Sequence, residues 1–113
     1  MKYENNKKNI SITANDIRID KSVDFGRNIF VNVQGEFSVG KYSRLGDDTH
    51  ILGNNVTFGE HLYHSSGLRI GGGGRHHPNA NFRIGNRCTI HNNFINVCEA
   101  VTIGDDVGLS HHV

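Results

Sequence analysis

The chain has 113 residues, 35% of them hydrophobic and 20% charged, with a formal net charge of +1 and a pI near 7.9. That length is one domain, and the near-neutral balance gives no electrostatic footprint for nucleic acid or an anionic membrane surface. No stretch approaches the roughly 18 apolar residues of a membrane span, and the Lys/Asn-rich Met1–Asn9 has no apolar run behind it, so the expectation is a cytoplasmic protein.

Residues 1–18 are polar and weakly patterned, and they read as a lead-in segment, either a strand or a frayed arm. From Ile19 a six-residue phrase takes over: a branched apolar residue, usually a glycine, two polar residues, a small or apolar residue and a spacer. Clear copies are Val39-Gly40-Lys41-Tyr42-Ser43-Arg44, Ile84-Gly85-Asn86-Arg87-Cys88-Thr89 and Ile103-Gly104-Asp105-Asp106-Val107-Gly108. The lead positions are Ile19, Phe25, Val33, Val39, Leu45, Leu52, Phe58, His64, Ile70, Ile84, Ile90, Val97, Ile103 and Leu109. Thirteen of the fourteen are apolar and eight are followed by glycine, where chance would place about two.

A period of six fits neither an amphipathic helix nor an alternating strand. It predicts an all-β fold, a parallel β-helix over 19–113 in which each hexad forms one side of a coil. The lead residue and the residue four places on (Val56, Leu62, Leu68, Cys88, Val101, Val107) point inward. Glycine and Asn/Asp are expected at the corners, where left-handed backbone angles are tolerated. Three hexads per coil give four to five coils.

Two cysteines with no export signal read as reduced residues, Cys88 inward and Cys98 beside Val97. The Asp47-Asp48 and Asp105-Asp106 pairs recur at one phrase position and read as turn residues. One excursion interrupts the coils, residues 71–82 (GGGGRHHPNANF); its glycine run lacks the Gly-Lys-Ser/Thr ending of a phosphate-binding loop. The last hexad, begun by Leu109, stops at Val113 with no closing helix or polar cap. A solenoid needs such a cap, so the chain is expected to be an N-terminal fragment.

The hexads, together with the stretch Asn79–Val113 (NANFRIGNRCTIHNNFINVCEAVTIGDDVGLSHHV), resemble the hexapeptide-repeat acyltransferases, most closely the O-acetyltransferases of sugar and exopolysaccharide pathways. The resemblance covers roughly 19–113. It implies a left-handed coil, a homotrimer with active sites between neighbouring subunits, and acetyl-CoA as acyl donor lying along the solenoid. It implies no metal. The acceptor it implies is a small hydroxylated molecule, a sugar or sugar nucleotide, whose hydroxyl is deprotonated by a loop histidine as it attacks the thioester. Imidazole suits that role because its ordinary pKa of roughly 6.5 leaves it neutral but basic at cellular pH.

His77, or failing that His76, is the candidate base: His76-His77-Pro78 in the excursion is similar to the His-Pro loop of the sugar acetyltransferases. The relatives most similar to Ile95–Val113 place the competing base in a Thr-His segment beyond Val113. His111 and His112 fall in the incomplete last hexad. His64 occupies a lead position, either satisfied in place or exposed at a corner, with a ligand at a subunit interface as the sharper alternative. His50, His61 and His91 are expected to be solvated. Two other classes stay open: a non-catalytic or truncated β-helix scaffold, and a γ-class carbonic anhydrase-like zinc enzyme, whose Arg/Asn/Gln-Asp constellation is not found here.

Overall fold

The computed structural model describes residues 1–71, 80–97 and 99–109. Among these residues there is no helix, and the chain winds as a parallel β-solenoid. No helix among them is long and apolar enough to cross a membrane. Strand β1 (Lys2–Asn5) lies antiparallel on β2 (Ile10–Thr13) and covers its outer edge; every other strand pair is parallel.

The first coil runs through β2, β3 (Asp16–Ile19) and β4 (Asp24–Phe25), and the second begins with β5 (Ile29–Val33) and β6 (Glu36–Val39). Two long strands turn a corner: β7 (Arg44–Gly53) closes the second coil and opens the third, and β9 (Tyr63–Gly71) does the same one coil later, with β8 (Asn55–Phe58) between them. Strands β10 (Asn81–Ile84) and β11 (Thr89–Ile90) complete the fourth coil, and β12 (Asn93–Asn96), β13 (Val101–Ile103) and β14 (Gly108–Leu109) make the fifth. Because β7 and β9 cross a corner, two sides of the solenoid merge into a nine-stranded sheet, while the third is a five-stranded sheet in the order β13-β10-β8-β6-β3.

Parallel pairing therefore begins at Ile10, where β2 aligns with β5, nine residues before the start read from the hexads. The signal was hidden because the first two sides of the first coil have no glycine to mark their phrases.

Each side buries residues i and i+2 of a short strand, and the pairs stack in register. Ile17, Phe37, Val56, Phe82 and Val101 form one column, and Ile19, Val39, Phe58, Ile84 and Ile103 the next. Phe37, Phe58 and Phe82 meet edge-on through the core, with centroids 6.1 and 6.0 Å apart. These T-shaped contacts add to the burial of three large rings. The inward role of the residue four after the lead also holds: Val56, Leu62, Leu68 and Cys88 are buried, and Val101 and Val107 pack against the core.

Three expectations change. Leu52 is half-exposed and Ile51 takes the inward place, because the corner before β8 is one residue longer than the six-residue frame requires, with Val56 five places after Ile51 instead of four. The excursion is shorter than 71–82: Ala80 is already buried, and Asn81 and Phe82 belong to β10, paired with Asn55 and Val56.

The third concerns the glycines. Among the described glycines only Gly67 has a left-handed backbone, with φ of 71°. The left-handed corner positions are instead Asn9, Asn28 and Asp48 on one edge and Tyr42, His61, Arg87 and Asp106 on another. Apart from Asn9, whose N–H turns back to the Asn6 carbonyl, their N–H groups donate to the coil before, as His61 does to the Lys41 carbonyl at 3.0 Å and Asp106 to Asn86 at 2.9 Å, so the strained angle keeps each corner hydrogen-bonded. Glycine follows the lead residue for a different reason. A Cβ at Gly40 would lie 2.7 Å from the carbonyl carbon and oxygen of Gly59, and Gly59 and Gly85 are closer still to the next coil. The coils approach too tightly at this corner for any side chain.

Asp47 and Asp105 are turn residues, as expected. Each accepts a hydrogen bond from the preceding coil, from the N–H of Arg27 and of Asn86, both at 2.8 Å.

Candidate functional site

The inward columns are closed by packing, so chemistry is confined to outward side chains, corners and the inserted segment. Along the nine-stranded sheet the registers place Ser11, Phe30, His50, Arg69 and Phe94 in one outward column, one residue per coil. Beside it, at the corner, run Asn9, Asn28, Asp48, Gly67 and Asn92. The Asn9 amide donates to Asn28 Oδ1 at 3.0 Å, and the Asn28 amide to Asp48 Oδ1 at 3.1 Å.

Two cavities open between these columns. One, of about 420 Å3, is lined by Asp48, His50, Arg69, Asn92 and Phe94 among others; the second, of about 400 Å3, by Asn28, Phe30, Asp48, His50 and Arg69 among others. They share Asp48, His50 and Arg69 and form one groove along the solenoid. Gly67 helps keep it open: a Cβ there would point at Asn92, 2.7 Å from its Oδ1.

His50 is not the solvated spacer expected. Its ring stacks on Phe30 at 5.1 Å and 16°, and its Nδ1 is buried without a hydrogen-bond partner. Burial, and then the nearby Arg69 charge, hold its pKa below the ordinary value, which keeps the imidazole neutral at cellular pH. Arg69 is exposed and makes no ion pair among the described residues. By contrast, Arg18, Arg44 and Arg87 are paired with Asp16, Asp24 and Asp106.

Two more histidines lie nearby. His64 is fully buried, aligned between Leu45 and Ile90, and its Nδ1 accepts the Gly46 N–H at 3.0 Å. The proton therefore sits on Nε2, which has no hydrogen-bond partner. Burial pushes its pKa down to about 4, against the raising effect of the Ser66 and Gly67 backbone. That ring is a neutral core residue. His91 is half-buried at the following corner, with Nδ1 3.0 Å from Ser65 Oγ. His61 is exposed, as expected, and lies against Tyr42. Cys88 is buried and free, its thiol donating to the Gly104 carbonyl at 3.1 Å.

His76 and His77, the candidate bases, lie outside the described residues, as do Cys98, His111 and His112. The pairing registers nonetheless fix where their segment enters and leaves. It departs after Gly71, two residues beyond Arg69, and returns at Ala80 before β10. Among the described residues, no three His, Cys, Asp or Glu side chains are grouped to hold a metal ion.

The groove was not read from the sequence. Its residues fall nineteen to twenty-five positions apart, one per coil, and a hexad frame treats each as a polar spacer. Aligning the chain at a coil length of about twenty would have brought Phe30, His50 and Arg69 into one column. No family model matches the chain, and neither a curated protein nor a solved structure matches it.

Proposed function

We propose that this chain serves acetyl-CoA-dependent O-acetylation of a sugar or sugar-nucleotide hydroxyl, as a left-handed β-helix assembled into a cytoplasmic trimer. One observation carries the reading. Ile29 pairs with Thr49 twenty residues on and Thr49 with Leu68 nineteen on, but Leu68 pairs with Asn93 only after twenty-five. This longer coil contains the segment between Gly71 and Ala80, and that segment carries His76-His77-Pro78. A regular solenoid that makes one histidine-bearing excursion supports the acyltransferase resemblance of the hexads.

In this mechanism His77, or His76 in its place, accepts the proton of the acceptor hydroxyl as that oxygen attacks the thioester carbonyl. A backbone N–H stabilises the tetrahedral oxyanion. The C–S bond then breaks, and the proton passes to the departing CoA thiolate. The products are the acetyl ester and free CoA. Release of CoA from acetyl-CoA in the presence of a hydroxylated sugar tests the reading. The His76/His77 double alanine variant should lose about 100-fold in rate or more; full activity in that variant would exclude this segment as the source of the base.

A further inference from the structure

We propose that the groove around Arg69 binds an acidic saccharide, a sugar chain bearing carboxylates, with Arg69 holding the carboxylate and Phe94 and Phe30 receiving the rings. The proposal deepens the acetyl-transfer reading by naming the class of acceptor. It rests on that reading for the acceptor's role but not for the binding itself.

Charge selects the ligand. The groove offers one exposed guanidinium without an ion pair among the described residues, one neutral imidazole and one carboxylate, Asp48. A guanidinium matches a carboxylate through two parallel hydrogen bonds. A phosphate chain with several charges would face Asp48 with a single cation to offset it, whereas one carboxylate per ring balances Arg69 alone. Asp48, Asn28 and Asn92 supply acceptors and amide donors at the same wall, the kind of groups that read hydroxyls.

Shape selects it too. Phe94 is 65% exposed and Phe30 42% exposed. Both stand in the column of Arg69 and His50, where the apolar face of a pyranose ring can pack on an aromatic side chain. Each cavity falls within the roughly 300–1,000 Å3 range of small-molecule sites. The two lie in line and share three residues, which suits successive units of an extended chain. The inserted segment leaves β9 two residues after Arg69, so a saccharide held there lies on the strand from which the segment bearing the candidate bases departs.

Calorimetric titration of the whole chain with trigalacturonate, and with its methyl ester, separates charge from shape. Trigalacturonate should bind more tightly than the ester. Arg69→Gln should weaken the acid by roughly tenfold or more and leave the ester unchanged, while Phe94→Ala should weaken both. Arg83→Gln removes the same charge from the five-stranded sheet and should change neither. All three side chains are exposed, so circular dichroism should report an intact fold in each variant. Equal binding of acid and ester, an Arg69→Gln protein that binds as the parent does, or no binding at all overturns the proposal. Trigalacturonate bound without CoA release would sink the transferase reading and leave the groove assigned. Acetylation of a neutral sugar without binding of the acid would do the reverse.

Discussion

The two sheets of this solenoid share one core but differ in what they admit to it. The five-stranded sheet turns only apolar residues inward, from Ile17 and Ile19 through the three stacked phenylalanines to Val101 and Ile103. Among the described residues every buried polar one belongs to the other side: Thr49, His64 and Asn93 in the nine-stranded sheet, and Ser43 at its border. Each engages at least one polar atom, His64 through Nδ1 alone. Ser43 Oγ bridges the Gly59 carbonyl and the Leu62 N–H, Thr49 donates to Gly46, and Asn93 accepts the His91 N–H. The outward surfaces divide in the same way, with the groove of Phe30, His50, Arg69 and Phe94 on the sheet whose interior is polar. Apolar stacking gives the scaffold its rigidity on one side, and the other side carries the polar and titratable groups from which a site can be built.

Phe58→Ala should have the largest effect. Phe58 is 1% exposed and sits between Phe37 and Phe82, so truncation loses burial and two aromatic contacts and leaves a cavity, costing about 3–5 kcal/mol. Denaturant unfolding measures it. A cost near zero would mean the apolar sheet is not what holds the coils.

Acid probes the polar sheet. His64 stays neutral in the fold down to about pH 4 but protonates near 6.5 when unfolded, so the unfolded chain binds more protons between those values. Its contribution is fully present above pH 6.5 and is lost as pH falls towards 4, by about 3 kcal/mol in all. His50 acts in the same direction. His64→Leu should flatten most of that slope, and an unchanged slope in the variant would remove His64 as its source.

The smallest effects compare two glycines of one corner. Gly40→Ala forces a methyl group against the Gly59 carbonyl and the Glu60 nitrogen, costing roughly 1–3 kcal/mol. Gly104 occupies the equivalent place in the last coil, and no described atom lies within 4 Å of its Cβ position. Gly104→Ala should therefore fall within about 0.5 kcal/mol of the parent. Equal costs at the two sites would show that backbone angle, and not coil approach, demands the glycine.

That corner also explains what was legible. From each lead residue of the five-stranded sheet the next inward residue is always four places on: Ile19 to Val23, Val39 to Ser43, Phe58 to Leu62, Ile84 to Cys88, Ile103 to Val107. Glycine follows every one of these leads after Ile19, so a local phrase reports the geometry directly. The corner entering that sheet varies in length. The frame therefore slipped at Leu52 and over Phe82, and the excursion was drawn too wide.

By itself the amino-acid sequence determined the repeat, the inward positions along most of the chain, and hence a parallel β-helix, because a strand's two-residue alternation and a fixed corner length are local properties. It also singled out the one excursion and its histidines. Only the tertiary structure decided which residues stack. Coil lengths of nineteen to twenty-five residues set the register between coils, and register alone brings Phe30, His50, Arg69 and Phe94 side by side. The buried state of His64 has the same origin. Its position was visible as a break in an apolar column, but its neutral ring and orphan N–H follow from Leu45 and Ile90 closing over it from the coils on either side.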